Sequence, residues 1–239
     1  MQIAAVSKKK SIVLYGSGSL ALEIAAYLRD VNGDGAISVS DIVSNDSPRM
    51  DALTEVLGLE PCWHRDLASV SEIGAKRLLL CIGDAAGRHR LLDEAKDVGV
   101  ALTTLIHPKA YVDDTAVIGE GSIVAPFAFV GPFAQVGRNC LVNVHAVVGC
   151  EAVLGDSTVL SAGAITNGHV RTGVAAFLGP GAVIYPRVEL GRFSELSAGS
   201  VLSHSVGSGL LMHGNPAKKR QMIKAHNISD EEEREERRN

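Results

Sequence analysis

The chain has 239 residues, 46% hydrophobic and 21% charged, enough for one or two globular domains with a sizeable core. A net charge of −4 gives no general attraction to nucleic acid, and no run of 18 or more apolar residues is present to insert into a membrane. Four cysteines (Cys62, Cys81, Cys140 and Cys150) lack CxxC spacing or evident pairing, which predicts reduced thiols in a cytoplasmic protein.

After a polar leader, in which Lys8, Lys9 and Lys10 precede a glycine turn and not a signal-peptide core, Ser11 to Tyr15 reads as a buried strand. Gly16-Ser17-Gly18-Ser19 follows as a turn, and Leu20 to Asp30 carries Leu20, Ile24, Ala25 and Leu28 on one helical stripe. Strand, glycine turn and helix open a Rossmann-like unit whose helix N-terminus can hold a phosphate. Ala21 stands where a dinucleotide fingerprint needs its third glycine, which disfavours NAD. Ala36 to Val43 predicts a second strand, ending near Asp41 and the polar loop Ser44-Asn45-Asp46. Arg77 to Ile82 is a third, followed by Gly83-Asp84 and a helix through Arg90, Leu91, Leu92 and Ala95, and Leu102 to Ile106 is a last strand. Residues 1–106 thus form an α/β domain whose glycine turns lie at strand C-termini, where ligands bind in such sheets.

From Val112 the period changes. Counting by sixes to Leu202 meets sixteen positions, of which fourteen are Val, Ile or Leu and two, Thr166 and Thr172, are Thr. Chance would place about 7 hydrophobics there. Glycine often comes next, as at Gly119, Gly131 and Gly149. Period six belongs to neither a helix nor an isolated strand, and predicts a left-handed parallel β-helix built of hexapeptide repeats. Three hexapeptides complete a triangular coil, so residues 18 apart lie one above the other at about 4.8 Å. Residues 107–219 make this domain, in which Gly207 to Pro216 reads as a polar closing loop. Residues 220–239 form a charged tail, with no apolar residue from Ser229 onward.

Gly-Ser-Gly in the first turn, Ile82-Gly83-Asp84 after a central strand, a hinge at Ile106-His107-Pro108, the repeats, and Gly214-Asn215-Pro216-Ala217-Lys218 together resemble the hexapeptide-repeat sugar acetyltransferases of the sialic-acid O-acetyltransferase and bacillosamine N-acetyltransferase type. The resemblance spans Ser11 to Lys219. It implies an acetyl-CoA-dependent acyltransferase, assembled as a homotrimer with CoA in the groove between two prisms, acting on a nucleotide-linked amino sugar. It also implies that Gly16, Ser17 and Gly18, with Asp41 after the second strand, hold the nucleotide. Tight-turn chemistry accounts equally well for those glycines, and a solvated loop carboxylate for Asp41.

The family's base is a histidine followed by an acidic residue, and the matching rung here is Val148-Gly149-Cys150-Glu151. Cysteine occupies the base position, and the family's second histidine falls on Val159. Three readings follow. His169, 18 residues after Glu151, stacks on that carboxylate and supplies the pair that deprotonation of an amine needs. Alternatively no protein base is required, or the chain binds without catalysing, as a trimeric sugar-nucleotide scaffold. O-acylation and longer acyl donors are the enzymatic alternatives. Cys150 reads as a small neutral filler, because a nucleophilic role needs an activating base. His145 is the second candidate base; it stacks on Gly163, without a carboxylate in its column. By resemblance, Gly168 offers its N–H to the thioester carbonyl, and Asn143 and Gly163 line the same groove, though rung-corner chemistry explains both equally well. His64, His89 and His107 lack ligand spacing, so no metal is expected.

Overall fold

A computed structural model describes residues 10–31, 37–44, 50–58, 60–67 and 77–222. The leader before Lys10, Ala36, Asn45-Asp46 and the charged tail beyond Met222 lie outside the described residues, whereas the first three residues of the expected tail, Arg220 to Met222, belong to a strand.

The N-terminal sheet comprises β1 (Lys10–Tyr15), β2 (Ile37–Val43), β3 (Cys62–His64), β4 (Arg77–Leu80) and β5 (Ala101–Leu102), all parallel in the order β3-β2-β1-β4-β5. Helix α1 (Ser19–Val31) buries Ala21, Ile24, Ala25 and Leu28 on the sheet, the stripe read from the sequence except that Ala21 takes the place of Leu20, which is only partly buried. Helix α2 is Met50–Leu57, and α3 is Ala85–Asp97, capped by Asp84, whose Oδ2 accepts from the Gly87 N–H at 2.7 Å. The stretch Leu102 to Ile106 is not one strand. Ala101–Leu102 pairs with β4, whereas Leu105–Ile106 pairs with Ile123–Val124 in the second domain, so the chain changes sheets at Thr103-Thr104.

From there the repeat makes short parallel strands at every sixth residue, as far as Val201–Leu202, in three stacked sheets with each strand paired 18 residues on. The aliphatics fill the prism: Val124, Val130, Val142, Val148, Leu160 and Leu178 are fully buried. Thr166 and Thr172 are buried too, with hydroxyls bonded to Val147 O at 3.2 Å and Thr158 Oγ1 at 3.0 Å. From Gly121 to Gly199 each corner carries one left-handed residue, among them Phe127, Phe133, Asn139, His145, Glu151 and His169, and none of these corner residues is β-branched. The expected closing loop contains a strand: Leu210–His213 pairs parallel with Glu195–Leu196 and antiparallel with Lys218–Met222, and buried Met212 plugs the prism. Its apolar residues outweigh the glycines around them.

Outward-pointing residues distinguish the three faces. On one, Leu105, Ile123, Leu141 and Val159 are buried against the N-terminal domain, in one cluster with Ile12, Leu14 and Ile24. The second presents Tyr111, Phe129, Val147, Ile165, Val183 and Val201, all apolar. The third mixes Val117, Gln135, Val153, Arg171 and Glu189. The corner between the second and third faces is the vertex opposite the docked face. Residues 149–152 and 167–170 lie on it.

Candidate active site

Glu151 and His169 occupy that vertex one coil apart. Both are left-handed (φ 56° and 59°), and the His169 N–H donates to Cys150 O at 2.9 Å, which fixes the stacking. His169 Nδ1 lies 3.3 Å from Glu151 Oε2, within ion-pairing distance, and both side chains are about half exposed (43% and 53%). A carboxylate at Nδ1 orients the ring and leaves Nε2 for a substrate proton. The same column continues to Phe133 below and Arg187 above, whose N–H donates to Gly168 O at 3.0 Å.

Cys150 is exposed beside this pair. His145 is elsewhere: it sits on the preceding corner, across the strand Val147–Val148, with its ring stacked on Phe127 (centroids 5.2 Å, 12° between planes). The structure therefore does not bring His145 to Cys150 and Glu151. On that corner Asn143 Oδ1 accepts from the Val144 N–H at 2.7 Å, and Gly163 is left-handed at φ +66°, so turn formation explains both residues.

Gly168 is different. Its φ is outside the left-handed region, and an added Cβ would meet only Cys150 O at 3.5 Å, an ordinary contact. Neither conformation nor crowding requires glycine there. By contrast a Cβ on Gly149 would lie 2.6 Å from Asn167 C, so that glycine serves the packing of coils.

At the sheet's C-terminal edge, Gly16 is needed by the fold: φ is +116° and a Cβ would stand 2.8 Å from Cys81 O. A Cβ on Gly18 would meet nothing within 4 Å. Ser17 Oγ bonds Ser44 Oγ at 2.8 Å, tying the first turn to the end of β2, a contact that brings an unforeseen residue, Ser44, to this edge. Asp41 departs from expectation. It lies within β2, not after it, and its Oδ1 is 2.8 Å from His64 Nε2 in a half-buried pair across β2 and β3. A cross-strand histidine thus occupies the carboxylate expected to face a loop.

Across from Gly83-Asp84, Glu195 projects from the prism, its carboxyl pushed above the usual range by burial and by the nearby Asp84 carboxylate. Among the described residues no group of three or more His, Cys, Asp or Glu converges in metal-ligand geometry, and no helix is long and apolar enough to cross a membrane.

No family profile matches the chain, and no curated protein does. Solved structures do match. Perosamine N-acetyltransferase from Caulobacter crescentus, as a variant with one histidine changed to asparagine and in complex with CoA and GDP-perosamine, is 31% identical over 88% of this chain and 97% of that one, with a TM-score of 0.79. PerB from Caulobacter crescentus, in complex with the same two molecules, is 29% identical over the same shares, with a TM-score of 0.78. The acetyltransferase domain of PglB from Neisseria gonorrhoeae, 24% identical over 88% of this chain and 100% of that one, shares the fold with a TM-score of 0.75. With this likeness along nearly the whole of both chains and the two-domain architecture, the chain belongs to the hexapeptide-repeat sugar acetyltransferases.

Proposed function

We propose that the protein transfers the acetyl group of acetyl-CoA to the amine of a nucleotide-linked amino sugar. The observation that carries this reading is the His169–Glu151 pair at 3.3 Å, in a chain 31% identical to an enzyme solved with CoA and GDP-perosamine. The sugar amine attacks the thioester carbonyl directly. His169 Nε2 takes the proton that the nitrogen loses as the C–N bond forms, and Glu151 stabilises the resulting imidazolium. The Gly168 N–H donates to the oxyanion of the tetrahedral intermediate. Collapse breaks the C–S bond, and the CoA thiolate recovers the proton from His169, leaving the N-acetylated sugar and free CoA.

Residues 1–106 hold the nucleotide, with Gly16, Ser17 and Gly18 at the phosphates, and residues 107–219 carry out the transfer. Asn143 and Gly163 border the pantetheine groove. The working unit is a homotrimer. The open face with Tyr111, Phe129, Val147, Ile165, Val183 and Val201 is a continuous apolar column, with the Tyr111 and Phe129 rings stacked at 5.1 Å, and a second copy covers it. The reacting corner lies opposite the face on which the protomer's own N-terminal domain docks, so the sugar held by one protomer reacts at the corner of a neighbour. Both substrates are cytoplasmic metabolites, and the acetylated nucleotide sugar is the form that glycosyltransferases consume, so the reaction serves polysaccharide assembly in the cytoplasm.

Cysteine at the family's base position supports a second reading, a scaffold that binds the sugar nucleotide without reacting. A thiol-release assay with acetyl-CoA and a panel of nucleotide-linked amino sugars separates the two. Release dependent on an amino acceptor is the expected result. Tight nucleotide-sugar binding with no release from any acceptor would establish the scaffold instead, and release with hydroxyl acceptors or only longer acyl donors would redefine the substrate.

A further inference from the structure

Arg88 is a fully buried arginine. It stands on the apolar stripe of α3 with Ala85, Leu91 and Ala95, and among the described residues it makes no ion pair with a carboxylate. Its guanidinium donates only to neutral acceptors: Nε to Asn139 O at 2.8 Å, Nη2 to Asn139 Oδ1 at 2.7 Å, and Nη1 to Leu80 O at 2.8 Å and Ile82 O at 3.0 Å. Asn139 returns the contact, its Nδ2 donating to Arg88 O at 2.6 Å. Burial lowers the pKa of Arg88 to about 10, so the charge is held at a cost that an apolar side chain would avoid.

What an apolar side chain cannot do is fix four oxygens at once. Two of them, Leu80 O and Ile82 O, flank the point where β4 leaves the sheet for Gly83-Asp84. Cys81, between them, donates its N–H to Tyr15 O at 2.7 Å, and its carbonyl abuts Gly16. The two ligand-side turns are therefore one unit, and the other two oxygens belong to a prism corner. Asn139 is itself held left-handed at φ 54° and fully buried.

We infer that Arg88, through Asn139, is a positioning residue that sets the place of the acceptor-binding turns against the prism and so governs how the sugar amine meets the acyl donor. This rests on the reading that the nucleotide sugar is held at Gly16 to Gly18, the turn that Cys81 joins to the end of β4. Displacing a reactant by about 1 Å can cost about 10² in rate, and a lysine has neither the planar fork nor the reach to hold the four oxygens.

The test uses Arg88→Lys and Asn139→Gly, the latter keeping the left-handed corner without its side chain. Steady-state kinetics with nucleotide sugar and acetyl-CoA, calorimetric acetyl-CoA binding and thermal melts are measured on each. The expected result is a rise of about 10-fold or more in acceptor KM, or a fall of that size in kcat per folded protomer, with acetyl-CoA affinity within about 2-fold of wild type. A purely structural role would lower the melting temperature and leave the kinetics of folded protein unchanged, and that result in Asn139→Gly overturns the inference even if Arg88→Lys does not fold. Absence of nucleotide-sugar binding by the wild-type protein would instead reject the underlying reading, a distinct outcome that removes the inference with it.

Discussion

Two glycines on adjoining coils make opposite predictions on replacement by alanine. At Gly149 the new Cβ would stand 2.6 Å from Asn167 C and 2.8 Å from Gly168 N and Thr166 O, where ordinary contact begins at 3.4 Å. All three are backbone atoms of the next coil, so the coils must part by several tenths of an ångström. Overpacking of this kind costs about 1–3 kcal/mol, which for a chain of this length lowers the melting temperature by roughly 3–10 °C. Gly168 has room, with Cys150 O at 3.5 Å, and a backbone that alanine can adopt. Gly168→Ala should therefore keep or raise the melting temperature by roughly 1–4 °C, because alanine restricts the unfolded chain. Its methyl group would nonetheless stand where the thioester approaches, and kcat/KM should fall at least ~10-fold. Thermal melts and thiol-release kinetics on the two proteins measure both effects. A destabilised Gly168→Ala would refute the geometric premise, and a stable, fully active one would remove Gly168 from the site.

Two further outcomes are expected. If the proposed homotrimer forms through the open apolar face, Ile165→Asp, which sets a carboxylate there, should sediment as a monomer in analytical ultracentrifugation where the wild type sediments as a trimer. It should lower thiol release by about 10² or more while nucleotide-sugar affinity persists, and a wild-type assembly would contradict the assigned interface. Glu195 has a folded-state pKa raised by burial and by Asp84, so its contribution to stability is present below the unfolded carboxylate range and is lost as pH rises through the folded value. Glu195→Gln, always neutral, should melt higher than wild type at pH 7.5, by no more than about 3 °C for so screened a group, and the difference should vanish near pH 4. A gap that widens on acidification would mean the sign is wrong.

The prism was legible because one physical demand, an aliphatic at each turn of a narrow core, recurs at Val112, Ile118, Val124 and onward without an insertion. The same count put His169 over Glu151, where the structure has the pair. A second signal lay one residue before each aliphatic. The columns Leu105, Ile123, Leu141, Val159 and Tyr111, Phe129, Val147, Ile165 are apolar although they point outward, which identifies one docked face and one open face. Asp41 was misplaced because its partner comes from a three-residue strand, Cys62–His64, too short to carry a periodic signal. Arg88 was missed because an arginine in a helix reads as solvated. Its position on the stripe of Ala85, Leu91 and Ala95 was the available sign that it is buried. The split of Leu102 to Ile106 between two sheets depends on tertiary pairing, and only Thr103-Thr104 hints at it.

The proposed transfer turns on His169 as the base, one coil above Glu151. Thiol release by His169→Asn, measured against wild type with the same nucleotide sugar and with binding of both substrates checked by calorimetry, tests it most directly. A fall in kcat of about 10² or more with binding retained is the expected result, and turnover equal to wild type would remove His169 from the mechanism.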